Sequence, residues 1–340
     1  MTLDERVDRV RELGYTEREA RFLAVAGLHS GYFLRRQFTE STGTGSGKAA
    51  ASFTSKLLRF DHATVVAVCH NAHLFHLHAK PVYERLGIPE SRNRRPRAPF
   101  AVKAKLMGLD YVLAHPDCAF FATYFERVAF FTQVLCVHHE VLPAKFYGQG
   151  SNRRPRYFVD GFPLGLTTSA DGRPVLAFCY VDDGGSSVSA FQTYLDQYRS
   201  LLRSLMAPAH VVFIGGCRRH FHAARVVFDH FLDEHAGELE IGSHGLAARL
   251  LPYFRVRALY EARRFDQLTK EGMDLLRDGR DSFSGPRFEA WFDQWRVQGD
   301  SAMSADVDAS PNESALRHLV FETWCADQVY DLFGTVWAAS

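Results

Sequence analysis

The sequence has no excess of charge of either sign: 40 Lys and Arg stand against 39 Asp and Glu, a formal net charge of +1. Any surface for a polyanion must therefore come from local clustering of cations. No run approaches the ~20 apolar residues that a membrane-spanning helix needs. Met1-Thr2-Leu3-Asp4-Glu5-Arg6 lacks the apolar core of a signal peptide. None of the six cysteines forms a C-x-x-C pair, which argues against a zinc module or a disulfide framework and for buried reduced thiols in a cytoplasmic protein. No nucleophile elbow or Ser-His-Asp arrangement is identifiable. Gly43-Thr44-Gly45-Ser46-Gly47-Lys48 imitates a phosphate-binding loop, yet Thr42 occupies the required first Gly and Ala49 the Ser/Thr position that would hold Mg²⁺. Neither a nucleotide nor a membrane is an expected partner. What remains is an ordinary globular composition, 46% hydrophobic and 23% charged, in 340 residues, long enough for two domains.

Tyr15 to His78 is the most informative stretch, and it reads as a winged helix-turn-helix. Thr16-Glu17-Arg18-Glu19 is a capping box, in which the Thr hydroxyl and the Glu carboxylate each take a free N–H of the first turn. Phe22, Leu23, Val25, Ala26 and Leu28 follow at helical spacing until His29-Ser30-Gly31. A short second helix, Leu34 to Thr42, precedes the turn Gly43 to Gly47. The third helix, Lys48 to Phe60, has two unlike faces. Ala50, Phe53, Leu57 and Phe60 point inward. Lys48, Ser52, Ser55 and Arg59, with Lys56 beside them, are cationic and small polar groups suited to phosphates and base edges in a major groove. Ala63 to Cys69 and His73 to His78 form a two-stranded wing around His70-Asn71-Ala72, with His70 at a phosphate.

Two basic segments follow, Arg92-Asn93-Arg94-Arg95-Pro96-Arg97 and Ser151-Asn152-Arg153-Arg154-Pro155-Arg156. Pro keeps both out of helix interiors. Each is either a phosphate-contacting arm, through Arg94 and Arg95 or Arg153 and Arg154, or a solvated linker. Ala101 to Leu113 reads as a helix, and the aromatic stretch His115 to Leu142 as core plus a dimer surface. Beyond Arg156 come a strand at Tyr157 to Leu164, a second at Val175 to Val181, a helix at Ala190 to Leu205 and a third strand at Val211 to Gly216. That order indicates an α/β (α+β) architecture. Leu246 to Ser340 reads as mostly helical, interrupted by the polar segment Ser301 to Ser314. The division expected is 1–90 for the DNA-docking domain, 91–155 for a helical linker region with the Arg arms, and 156–340 for an α/β domain with a helical extension.

That last domain resembles the restriction-endonuclease-like core, where two strands present carboxylates to Mg²⁺ beside a scissile phosphate. Asp160 matches the first carboxylate. The second motif falls on Tyr180-Val181-Asp182, with Tyr where a Glu ligand stands in that core and Asp182 where it has Lys. The chain as a whole resembles the replication-relaxation family of plasmid and integrative-element proteins. The residues that carry this are Leu28-His29-Ser30-Gly31-Tyr32-Phe33-Leu34-Arg35-Arg36-Gln37, Asn93-Arg94-Arg95-Pro96, Lys105-Leu106-Met107, Asp110-Tyr111-Val112-Leu113-Ala114-His115 and the Asp160 and Val181-Asp182 strands. The resemblance implies a winged helix ahead of a nuclease-like domain, and a role in DNA maintenance or control of a mobile element. Tyr180 departs from the family's Glu. The expectation is therefore a homodimeric, sequence-specific binder of double-stranded DNA whose nuclease-like domain is non-catalytic and needs no cofactor. The alternative is a Mg²⁺-dependent nuclease using Asp160 and Asp182.

Overall fold

A computed structural model of the chain describes residues 1–43, 47–69, 72–148, 153–169, 172–185, 187–205, 207–235, 243–283, 286–300, 318–326, 328 and 330. The chain is a mixed α/β protein. It opens with helices α1 (Leu3–Arg11) and α2 (Glu17–His29), strand β1 (Tyr32–Leu34), helices α3 (Arg35–Thr42) and α4 (Gly47–Arg59), strands β2 (Ala63–Ala67) and β3 (His73–Leu77), and helix α5 (Lys80–Arg85). The capping box forms as the sequence reads, with Thr16 N–H donating to Glu19 Oε2 at 2.8 Å and Glu19 N–H to the Thr16 hydroxyl at 3.4 Å. The three strands make an antiparallel sheet in the order β1-β3-β2. Phe22, Phe33, Phe38, Phe53 and Phe75, one from each of five elements, meet in the core. Phe38 stacks on Phe53 at 4.2 Å and Phe33 on Phe75 at 5.1 Å. Phe60 does not join them. It lies one residue past the end of α4, 38% exposed, with its ring edge-on to Tyr15.

The second half begins with α6 (Pro99–Ala114), β4 (Ala119–Phe120) and α7 (Tyr124–Ala129), which runs into a π-turn at Phe130–Val134. Strands β5 (Ala144–Tyr147) and β6 (Arg154–Tyr157) pair only with each other, as a separate ribbon. Then come β7 (Leu164–Thr168), β8 (Pro174–Asp182), α8 (Ser189–Ser204), β9 (Ala209–Gly215), α9 (Phe221–His235), α10 (Ser243–Glu261), α11 (Lys270–Ser282), α12 (Pro286–Gln298) and β10 (Leu319–Cys325). The main sheet has the order β10-β9-β8-β7-β4, with β8, β9 and β10 parallel and the other pairs antiparallel. β8 is apolar from Pro174 to Val181 because both of its faces are covered. Leu176, Phe178 and Tyr180 meet Phe191, Tyr194, Leu195 and Tyr198 of α8, while Cys179 and Val181 face Leu106, Met107 and Tyr111 of α6. Helices α10 to α12 enclose a small separate core around Tyr253, Phe254, Phe288 and Phe292, which Cys136 joins from the segment after α7.

Three further expectations change here. Tyr157 to Leu164 is not one strand: β6 ends at Tyr157, Phe158 and Gly161 have φ of +50° and +69°, and β7 starts at Leu164. Residues 319–325, read as part of a helical region, are edge strand β10, with Leu319 and Phe321 inward and Val320 and Glu322 outward. Of the six cysteines, only Cys136 and Cys179 are buried, and Cys69 and Cys217 are exposed. The polar segment Ser301 to Ser314 lies outside the described residues. Among the described residues, no helix is long and apolar enough to cross a membrane.

Helix α6 joins the two halves. It is apolar around most of its circumference because both sides are buried: Leu109 and Leu113 enter the N-terminal core, and Val102, Leu106, Met107 and Tyr111 pack on the sheet. The buried Asp110 takes both terminal nitrogens of Arg36, at 2.9 and 2.6 Å. Gln37 Nε2 donates to Asp110 Oδ1 at 2.7 Å and to the Leu106 carbonyl at 3.0 Å, while its Oε1 accepts from Leu34 N–H. Arg36 also donates to the Tyr330 hydroxyl, just beyond β10. A second seam runs through Asn93. Its amide donates to the Gly27 and Leu28 carbonyls, its carbonyl accepts from His76 Nε2, and its Oδ1 accepts from Lys105. Gly31 makes this approach possible, since a Cβ there would sit 2.4 Å from the Asn93 carbonyl oxygen on a backbone with φ of +81°.

Removing one partner of a buried charge network strands the others. Asp110→Ala is therefore expected to cost about 3 kcal/mol, read as a lower midpoint in urea denaturation, and Asp110→Asn, which sets an NH2 donor against the donors of Arg36 and Gln37, is expected to lower the midpoint as well. His29 contributes a pH dependence. Burial, then the charges of Arg127, Arg6 and Lys105, hold its pKa down at about 3. The folded state thus refuses a proton that the unfolded chain accepts below about 6.5. This contribution is complete above that pH and is lost as pH falls towards 3, by up to about 1.4 kcal/mol per unit. Between pH 6.5 and 5, above the range where carboxylates titrate, the stability profile of His29→Gln should be flatter than that of the parent by about one proton.

Candidate nucleic-acid interface

Helix α4 is held by its inner face. Ala50, Phe53, Thr54 and Leu57 are buried against α2, α3 and the small sheet. That fixes which side chains face outward: Lys48, Ser52, Ser55 and Arg59 are all exposed. Among the described residues, neither Lys48 nor Arg59 meets a carboxylate, and the Arg59 guanidinium lies over the Phe60 ring at 5.1 Å. Arg35, at the start of α3, was not among the expected contacts. It is exposed, and its Nε donates to the Thr54 hydroxyl, adding a cation beside the helix. Thr64, Val65, Val66 and Ala67 of β2 and His73 of β3 are also exposed on the same lobe.

The remaining predicted contacts separate into exposed and internal groups. Lys56 is internal. Its ammonium pairs with Glu19 at 2.6 Å and lies over the Tyr15 ring, so it fastens α4 to α2. Arg94 is also spent inside the protein: its Nε donates to the His78 carbonyl and its Nη1 to the Pro89 carbonyl at 2.7 Å. Arg95 stays exposed. The first basic segment is thus a 3-10 turn (Arg92–Arg94) docked on the lobe through Asn93 and Arg94. His76 is buried, stacked on Tyr32 at 4.3 Å. Arg153 and Arg154 are exposed at the ribbon, where Arg154 begins β6. His70 and the centre of the Gly43–Gly47 turn (44–46) lie outside the described residues.

Asp160 and Asp182, the two carboxylates expected to match a nuclease-like core, have separate surroundings. Asp160 sits in the turn between β6 and β7, not on a strand, where Oδ1 accepts from Phe162 N–H (2.9 Å) and Oδ2 from the Tyr198 hydroxyl (2.7 Å). Asp182 ends β8. Its Oδ1 accepts from Gly184 N–H and its Oδ2 lies 2.7 Å from His220 Nδ1. Tyr180, on the same strand face as Asp182, is packed among Phe162, Phe191, Tyr194 and Phe213. Burial, then the charges of Asp182 and Asp183, push its hydroxyl up to about 12. As a donor set for Mg²⁺ these residues fit poorly. All four carboxylate oxygens have hydrogen-bond partners, and a phenol that stays protonated stands where a third anionic ligand belongs. Among the described residues, no cluster of three or more His, Cys, Asp and Glu side chains could hold a metal ion. His220 lies in the turn Arg218–His220 that follows β9, and nothing in its sequence spacing signals the bond to Asp182.

No family model, curated protein or solved structure matches the chain.

The division between internal and exposed arginines has a direct test. Arg94→Ala is expected to lower stability by about 2 kcal/mol, because two carbonyls lose a charged donor. Arg95→Ala should leave the denaturation midpoint within about 0.5 kcal/mol of the parent.

Proposed function

We propose that the chain is a sequence-specific double-stranded DNA-binding protein whose N-terminal lobe is a winged helix-turn-helix. The observation that carries this is the outward face of α4, where Lys48, Ser52, Ser55 and Arg59 stand exposed on a helix whose opposite side is locked into the core. The order helix, strand, helix, helix, strand, strand with an antiparallel sheet supports the same reading. In it, α4 enters the major groove, Ser52 and Ser55 lie at base edges, and Lys48 and Arg59 hold phosphates on either side. The strands β2 and β3 serve as the wing.

The resemblance to replication-relaxation proteins adds the setting: a regulator of transcription, or an accessory factor in replication or transfer, of a mobile element. The α/β half acts as a non-catalytic scaffold. Asp160 and Asp182 serve it through their bonds to Tyr198 and His220. A homodimer would set two α4 helices on an inverted repeat. Tyr124 and Phe125, side by side and exposed on α7, offer it an apolar contact.

The test is retention of a genomic fragment library at about 150 mM salt with Mg²⁺ present, followed by sequencing. Intact fragments sharing an inverted repeat are expected. Fragments cut at a shared site would overturn the non-catalytic assignment. Lys48→Ala and Arg59→Ala should each weaken binding and reduce the slope of log affinity against log salt by ~1 per lost phosphate contact. Lys56→Ala should lower stability and leave that slope unchanged.

A further inference from the structure

The β5–β6 ribbon stands apart from both sheets, and its register sorts its side chains. Lys145 lies opposite Arg156 and Tyr147 opposite Arg154, while Phe146 lies opposite Pro155. Residues directly opposite, and residues two apart on one strand, share a face. One face therefore carries Lys145, Arg154 and Arg156 around Tyr147. Arg156 lies over the Tyr147 ring at 5.0 Å, and on the other face Arg153 lies over Phe146 at 4.5 Å. All of these side chains are exposed, and neither strand contains a carboxylate. Among the described residues, none of the four cations is paired with an acid.

The two cation–π contacts do not explain why three cations share one face. Like charges directly opposite each other destabilise an antiparallel pair, and a lone two-stranded ribbon is marginal to begin with. A polyanion lying on the face would relieve the repulsion. We propose that the face bearing Lys145, Tyr147, Arg154 and Arg156 is a second contact surface for the phosphate backbone of duplex DNA, extending the footprint beyond α4. The inference rests on the DNA-binding reading above. A two-stranded ribbon fits the major groove of a duplex. Each exposed ring already has a guanidinium over it, which favours backbone contact over the open base-stacking platform of a single-strand binder.

The test uses the full chain with a long duplex and with poly(dT), titrated with salt. The triple variant Lys145→Ala/Arg154→Ala/Arg156→Ala is expected to lower the duplex salt slope by about 2 to 3, at about 0.9 per lost contact. Arg156→Glu should lower it too, while placing an attractive pair across the ribbon, so its denaturation midpoint should equal or exceed the parent's. A slope unchanged in both variants, while Lys48→Ala and Arg59→Ala lower theirs, would overturn the ribbon surface and leave the α4 reading standing. A parent chain that retains no duplex at low salt would overturn both. A loss confined to poly(dT) would make this a single-strand surface and overturn the proposal as made.

Discussion

A single buried carboxylate holds the molecule together. Asp110 is almost wholly removed from water, and a charge in that position is tolerated only when paired and hydrogen-bonded. Arg36 and Gln37 supply the partners, and both come from α3. Satisfying one aspartate on α6 therefore dictates where the helix preceding α4 must lie. Tyr330 closes the same cluster from beyond β10, so the end of the main sheet is tied to the small lobe. Asn93 repeats the logic, joining α2 through the Gly27 and Leu28 carbonyls, β3 through the His76 ring and α6 through the Lys105 ammonium. Both seams run through residues that carry the family resemblance: Gly31, Arg36, Gln37, Asn93, Lys105 and Asp110. In this chain each of those residues acts between elements. None stands on the outward face of α4.

The elements with strong periodicity were legible in the sequence. The capping box at Thr16, the two-faced pattern of α4, the apolar runs of β8 and β9 and the helix α8 all appear within a residue or two of where their spacing puts them. What escaped depends on non-local or unusual backbone geometry. Tyr157 to Leu164 has the composition of a strand, but Phe158 takes a positive φ that no apolar residue advertises. Pro155 keeps its segment out of helix interiors but does not announce a strand, and in a two-stranded ribbon every strand is an edge where proline is admissible. β10 is buried on one side only and follows a long polar segment, so its alternation was absorbed into the helical pattern around it.

The candidate site was legible in kind more than in detail. That α4 would turn Lys48, Ser52, Ser55 and Arg59 outward follows from Phe53 and Leu57 turning inward, which is a matter of helical phase. Phase cannot show what a long side chain finds within reach. Lys56 lies next to the polar stripe but finds Glu19, and Arg94 sits in a basic run but finds two carbonyls. Charge runs in a sequence count cations. Only the fold shows which of them remain available to a partner.

The sharing of α6 bears on how such a chain can be inherited. Leu109 and Leu113 complete the N-terminal core, although they lie beyond every element of that lobe. A recombination joint placed between α5 and α6 would leave one product with an unfilled cavity and the other with a naked apolar stripe. The lobe is thus not a cassette to be traded between scaffolds at that joint. Any change in what the outward face of α4 presents must arise by substitution in place, with the whole span from α2 to α6 passed on together.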